Sequence, residues 1–205
     1  MGVISNGTTL LDAGALDSGI ATGKMTLIKT LTASSSSTLS FVHGTSSVVF
    51  DNTYDSYVFK FINIHPSANA RFQFNGSIDS GSNYNVTKTT TAFWAAHNEG
   101  DNDSNVFYRT SEDLAQSTSD QLLTIEVGDF TGNDEHYSGT MQVFNPSNTT
   151  FVKHFIVTGL HYGSTYALNS YVSGYFNTTS AIDALIFRMS SGDIDAGTIK
   201  MYGIK

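Results

Sequence analysis

The chain has 205 residues, is 40% hydrophobic and 12% aromatic, and carries only 14% charged residues and no cysteine. These values describe a folded protein large enough to be stable around one core, and they exclude disulfide frameworks, thiolate zinc sites, iron–sulfur clusters and cysteine nucleophiles. Ten Lys and Arg against 18 Asp and Glu give a net charge of −8, so a phosphate backbone is repelled by the average field and nucleic acid is not an expected partner.

No window approaches the ~18 consecutive apolar residues of a membrane span. The start, Met1-Gly2-Val3-Ile4-Ser5-Asn6, lacks the basic and apolar regions of a signal peptide. It approximates a myristoylation signal, but Asn6 stands where the hydroxyl belongs, so neither lipidation nor a membrane partner is expected. A soluble product made in the cytoplasm is the expectation. Ser, Thr and Asn supply about a third of the chain and Glu is rare beside Asp, a vocabulary of strands and turns.

Residues 1–24 hold five Gly and scattered Leu10, Leu11 and Leu16 without sustained alternation, which predicts an extended arm; the scattered apolar residues suit docking onto a neighbouring subunit, with a disordered terminus as the alternative. Residues 25–205 read as strand after strand bounded by Gly, Asn, Asp or Ser. The first runs from Met25 to Leu31. Thr38 to His43 and Val48 to Phe50 flank the hairpin-like Gly44-Thr45-Ser46. Ser56 to Ile64 places Tyr57, Phe59 and Phe61 on one face, is apolar enough to lie centrally, and is stopped by Pro66. Ala70 to Asn75 alternates Phe72 and Phe74 with Arg71 and Gln73, and Asn75-Gly76 predicts a tight turn. Tyr84 to Ala95, Val106 to Arg109, Leu122 to Val127, Ser138 to Phe144, Phe151 to Thr158, Ser170 to Phe176, Ala184 to Met189 and Thr198 to Tyr202 complete the set. The one helical candidate, Ser111 to Gln121, supports a single turn at most. Strands without interleaved helices predict an all-β, antiparallel two-sheet sandwich of jelly-roll type behind the N-terminal arm.

Asp101, Asp103, Asn105 and Glu112 occupy positions 1, 3, 5 and 12 of an EF-hand-like register suited to Ca²⁺. Val106, however, stands where the sharp turn needs Gly, so a solvated acidic loop is the favoured reading. Asp129, Asn133, Asp134 and Glu135 read as a second surface loop. His43, His65, His97, His136, His154 and His161 never fall at i, i+2 or i+4 from one another. His154 shares a strand side with Val152 and Ile156 and reads as a core or interface residue. There is no dinucleotide fingerprint, P-loop or Gly-x-Ser-x-Gly elbow. Catalytic sites assembled from distant Ser, His, Asp or paired carboxylates stay open as an alternative. No residue is assigned a catalytic, cofactor or metal role, and an enzyme is not expected. The six Asn-x-Ser/Thr sequons, at Asn6, Asn75, Asn85, Asn102, Asn148 and Asn177, read as turn and surface chemistry. Trp94, Tyr84, Tyr108, Tyr137, Tyr162, Tyr166, Tyr171 and Tyr175 read mainly as strand-end shielding of a core, with carbohydrate binding by the loops as the alternative.

The closing segment, from Ala181 through Leu185-Ile186-Phe187-Arg188-Met189 and Ser191-Gly192-Asp193-Ile194-Asp195-Ala196-Gly197-Thr198-Ile199 to Tyr202-Gly203-Ile204, resembles the end of jelly-roll virion proteins of tailed, marine or cyanophage-like bacteriophages. Gly192 and Gly197 bracket a wide turn there, and Ile199 and Met201 alternate with Lys200 and Tyr202. The start Gly2-Val3-Ile4-Ser5 and the block from Tyr57 to Pro66 are similar to the same group. The resemblance covers most of the chain, its motifs are structural, and it carries no catalytic residue.

It implies a virion surface component, either a capsid decoration or cement protein or a tail or head fibre subunit. The partners implied are other virion proteins, namely the major capsid protein or tail and fibre components. A homo-oligomer is implied too, with trimers frequent in the group. Two functional readings follow. In the first, a non-enzymatic decoration protein binds the assembled capsid through its arm and one sandwich edge. In the second, a receptor-binding fibre subunit holds host surface glycan in its Tyr- and Asn-bearing loops. A glycan-degrading enzyme is a third, more remote one.

Overall fold

The computed structural model describes residues 3–5, 8–12, 15–16, 25–124, 132–163 and 165–205. Their secondary structure is β throughout: β1 (Val3–Ser5), β2 (Thr8–Asp12), β3 (Ala15–Leu16), β4 (Met25–Thr32), β5 (Leu39–Val42), β6 (Ser56–Pro66), β7 (Phe72–Ser77), β8 (Lys88–Asn98), β9 (Ser104–Tyr108), β10 (Gln121–Leu122), β11 (Tyr137–Phe144), β12 (Lys153–Gly163), β13 (Tyr166–Phe176), β14 (Ala184–Met189) and β15 (Ile194–Ile204).

The first three strands pair among themselves into a small antiparallel sheet, so the described part of residues 1–24 is hairpin-like strand; the rest of that expected arm, Leu10, Leu11 and Leu16 side chains included, lies outside the described residues. The other strands form an eight-stranded sheet, β4-β15-β6-β11-β12-β13-β8-β9, and a four-stranded sheet, β10-β7-β14-β5, with every pairing antiparallel. The expected two-sheet antiparallel sandwich is therefore what the chain forms. Its eight-plus-four division does not identify the strand order of a jelly roll.

Alternation sets which side of each strand meets the partner sheet. Along β12, Phe155 and Val157 are buried while His154, Ile156, Thr158 and Leu160 are exposed. Strand β6 is central, as expected, and sends Phe59 and Phe61 inward with Lys60 and Ile62 outward. The inward side chains meet the four-stranded sheet around Phe187. Its ring lies 5.2–6.3 Å from those of Phe59 and Phe61 on the large sheet and Phe41, Phe72 and Phe74 on the small one. Edge-to-face and offset contacts of this kind add to the gain from burying the rings themselves.

Several sequence expectations are corrected. Val48 to Phe50 is not a strand, although Val48 and Phe50 plug the core and the Phe50 N–H donates to His43 Nδ1. Asn75-Gly76 is not a turn but the interior of β7: Asn75 is tied sideways to Lys88 and Asp120, and a Cβ on Gly76 would lie 2.7 Å from the Phe176 ring. Gly197 does not close a turn. It lies inside β15 at a bulge, with φ 119°, where a Cβ would lie 2.5 Å from the Asn63 carbonyl oxygen. The expected strand Leu122 to Val127 is represented by β10 alone, and its residues 125–127 lie outside the described ones. The expectation of a single helical turn at most around Ser111 to Gln121 stands: there is no helix, and in one helical-type turn the Asp113 N–H donates to the Arg109 carbonyl.

Gly139 and Gly159 face each other across β11 and β12, and the buried Tyr137 ring fills the space they leave. A Cβ on Gly159 would overlap the Tyr137 hydroxyl, and that ring is already packed against Phe61 and Phe72. Gly159→Ala is thus expected to lower stability by about 2–3 kcal/mol through overpacking. Denaturant unfolding checks this, and an unchanged midpoint would show that the ring can move aside.

Candidate functional site

The segment from Arg109 to Asp120 folds back along β8 and fixes most of the polar chemistry. Backbone bonds run from Arg109 N to Ala92 O, from Thr90 N to Leu114 O, and in both directions between Lys88 and Ser117. Gln121, fully buried, accepts from Thr90 Oγ1 and donates to the Glu112 carbonyl. The segment carries Glu112 into the interior, where both carboxylate oxygens meet cations. Arg109 donates through Nε at 2.7 Å and Nη2 at 3.1 Å, and Arg71 Nη1 lies at 3.7 Å. Burying a carboxylate is tolerable only with such pairing.

Glu112 is therefore drawn away from the register that the sequence suggested for Ca²⁺. Asp101 accepts from His97 at 3.1 Å, Asp103 accepts from Tyr166 Oη at 2.9 Å and from Asn105 at 2.8 Å, and no group of three or more metal-ligating side chains forms among the described residues. In the second acidic cluster Asp129 lies outside the described residues. Glu135 accepts from the Gly132 N–H, and with Asn133 and Asp134 it borders an open pocket of about 420 Å³ shared with Asn63, His65 and Asp195. His65 stands between the Gly132 carbonyl at 3.2 Å and Asp195 at 3.8 Å. Burial holds the His161 imidazole down to about 4 against the opposing pull of Glu135, so it is neutral at physiological pH.

Two regions present chemistry to a partner. The first is the outer face of the eight-stranded sheet, which the small sheet does not cover. One row of cross-strand neighbours on it reads Tyr202, Val58, Gln142, Ile156, Ser173 and Thr91; the next reads Lys200, Lys60, Thr140, Thr158, Tyr171, Phe93 and Tyr108. Ile156 and Leu160 are half exposed, Leu27 and Tyr108 slightly more so, and Phe93 stacks on Tyr171 at 4.8 Å. Among the described residues, no Asp or Glu occupies an outward strand position in the regular part of this face. Lys60 and Lys200 are its full charges, with Lys60 Nζ 5.8 Å from the Tyr202 ring. Carboxylates stand at its margins: Asp113 accepts from Tyr108 Oη at 2.6 Å, and Asp195, at the bulged start of β15, accepts from Ser35. His154, read from sequence as core or interface, is exposed here beside Tyr175, so the core alternative is excluded.

The second region lies on the inner side, beyond the reach of the small sheet. Past Ala92 and Val172 the inward residues of β8 and β13 leave the main core and form a separate cluster of Trp94 and Leu168 with Ala96 and Tyr166. They line a cleft of about 200 Å³ with Phe107, Asp103 and Arg109. The Arg109 guanidinium lies 4.0 Å from the Trp94 ring centroid. Of the aromatic residues singled out from sequence, Trp94 and Tyr166 meet here, Tyr108, Tyr171 and Tyr175 belong to the outer face, and Tyr137 is core. No sequence pattern marked Phe107, Arg109 or the pairing of Glu112.

Compared with protein-family models, with curated proteins and with solved structures, the chain matches none.

Behind this segment Lys88 is fully buried, and its Nζ donates to Asn75 Oδ1 at 2.6 Å and to the Val86 carbonyl at 2.9 Å. Asn75 in turn donates to Asp120, which Arg188 grips through two bonds. Burial brings the Lys88 ammonium down to about 8 from 10.5, with Asp120 opposing. Between those values the unfolded chain binds more protons, so this group makes the fold more stable as pH rises, by about 2 kcal/mol from pH 8 to 10. Relative to Lys88→Met, the natural chain should gain that much stability over this range in paired melts. A constant difference between the two proteins would contradict a buried ammonium.

Proposed function

We propose that the chain is a non-enzymatic structural protein of a tailed-bacteriophage particle. In this reading it is a capsid decoration or cement protein on the virion surface that docks on the shell through the outer face of its eight-stranded sheet. The observation that carries this reading is the face itself. Among its described residues, a chain of net charge −8 keeps Asp and Glu out of the outward strand positions in the regular part of this face and places Ile156, Leu160, Leu27 and a Phe93–Tyr171 stack there. Apolar side chains gathered on one surface mark an interaction site. The two lysines and the missing carboxylates complement an acidic protein surface. The resemblance of the closing segment to phage virion proteins supplies the identity of that surface, the assembled major capsid protein.

Binding to the assembled shell but not to free subunits shifts the equilibrium toward the shell, which is how such a protein would cement it. A closed homo-oligomer, trimeric as in the resembling group, fits the same account because it would cover the open edges β4 and β9. The alternative, a tail or head fibre subunit that binds host glycan, is favoured by one feature, the Trp94 cleft.

Co-sedimentation with undecorated capsids tests the docking face. The natural chain should bind saturably. Ile156→Asp with Leu160→Asp should weaken binding about a hundredfold, and Lys60→Glu with Lys200→Glu about tenfold, with the remaining affinity less sensitive to salt. Natural affinity in both double variants would remove the outer face from the function.

A further inference from the structure

We infer that the cleft formed by β8, β9 and β13 on the inner side of the large sheet is a binding site for one pyranose ring of a glycan. The site lies on the opposite side of the sheet from the proposed docking face, so a docked protein would keep it open to solvent.

The argument begins with size. A volume of about 200 Å³ equals the liquid share of roughly seven waters, too small for a drug-sized ligand and matched to a single six-membered sugar ring. The lining is the second consideration. Phe107 and Trp94 are cross-strand partners on the inward side, and Phe107 is 41% exposed. A flat ring with a negatively charged face attracts the slightly positive C–H groups of a pyranose, and its apolar area shields them from water. Polar groups stand at the wall: the Asp103 carboxylate accepts from Tyr166 at one oxygen and from Asn105 at the other, each with a lone pair to spare, and the Arg109 guanidinium lies beside them. An apolar floor with a few fixed polar groups is what a sugar, apolar on one side and hydroxylated around its rim, requires.

Rigidity is the third. Arg109 is held by two bonds to buried Glu112 and by its contact with Trp94, and Tyr166 is held by Asp103, so little side-chain freedom is left to lose on binding. Charges of Arg71 and Arg109 balance those of Glu112 and Asp103, which favours a neutral sugar over an acidic one.

Trp94 is the only tryptophan of the chain, so its emission reports on this cleft alone. The full-length protein is titrated with methyl glycosides of glucose, galactose, mannose and N-acetylglucosamine, and with glucuronic acid as the acidic control, while Trp94 fluorescence is read. A saturable change with at least one neutral sugar, with a dissociation constant near 1 mM, is expected. Phe107→Ala and Asp103→Asn should weaken it at least tenfold. Tyr166→Phe, which keeps the ring, should weaken it less, and guards against misfolding of the other two. Sugar bound without a change in Trp94 emission and unaffected by these variants would overturn the cleft as the site while leaving a glycan-binding role intact. No response to any sugar, together with no retention on a glycan array, would overturn both.

Discussion

Phe187 is the side chain on which the rest of the molecule depends. It sits on β14 in the small sheet, is fully buried, and touches aromatic rings from both sheets. Rings from opposite sheets can converge on one residue only if the sheets keep a fixed spacing and register, so this contact sets how the sandwich closes. It also sets where closure stops. The core built around Phe187 takes in side chains of the large sheet from β15 to β8, and toward the Trp94 end of β8 and β13 it stops at Ala92 and Val172. What the small sheet leaves uncovered, the outer face and the Trp94 cleft, is where the chain has chemistry left to offer.

The polar interior supports this division of labour. Glu112, Arg109 and Arg71 form one network around a buried carboxylate and Lys88, Asn75, Asp120 and Arg188 another around a buried ammonium, both fastened to the segment between β9 and β10. Removing one partner of such a network leaves the other buried without compensation, a cost greater than the net gain from the pair. The segment is thereby pinned to β8 with no helix or strand of its own beyond an isolated bridge, and the pinning is what holds Arg109 against Trp94.

Much of the fold was legible in the sequence, because period-2 alternation survives wherever one side of a strand is buried. Ala184–Met189 and the inward Phe59 and Phe61 were read directly. The failures share a physical cause. Asn75-Gly76 carries turn chemistry locally, but Lys88, Asp120 and the Phe176 ring, all distant in sequence, fix it as strand. Val48 and Phe50 have the composition of a strand yet are buried without ladder partners, which composition cannot distinguish. Glu112 fitted a calcium register by spacing alone; its real partners are Arg109, three residues back across a local turn, and Arg71, which is distant in sequence. The outer face was half legible in the exposed run of His154 and Ile156, whereas the cleft depends on the small sheet being too short to cover β8 and β13, and no local pattern encodes that.

The central claim is that the uncovered outer face is where this chain joins a larger assembly. The most direct test is cryo-electron microscopy of the purified protein mixed with expanded, undecorated phage capsids. The account predicts ordered density at fixed capsid symmetry positions, with β6, β11 and β12 turned toward the shell and the Trp94 cleft turned to solvent. Empty shells beside free protein, or ordered density attached through the small sheet, would contradict it.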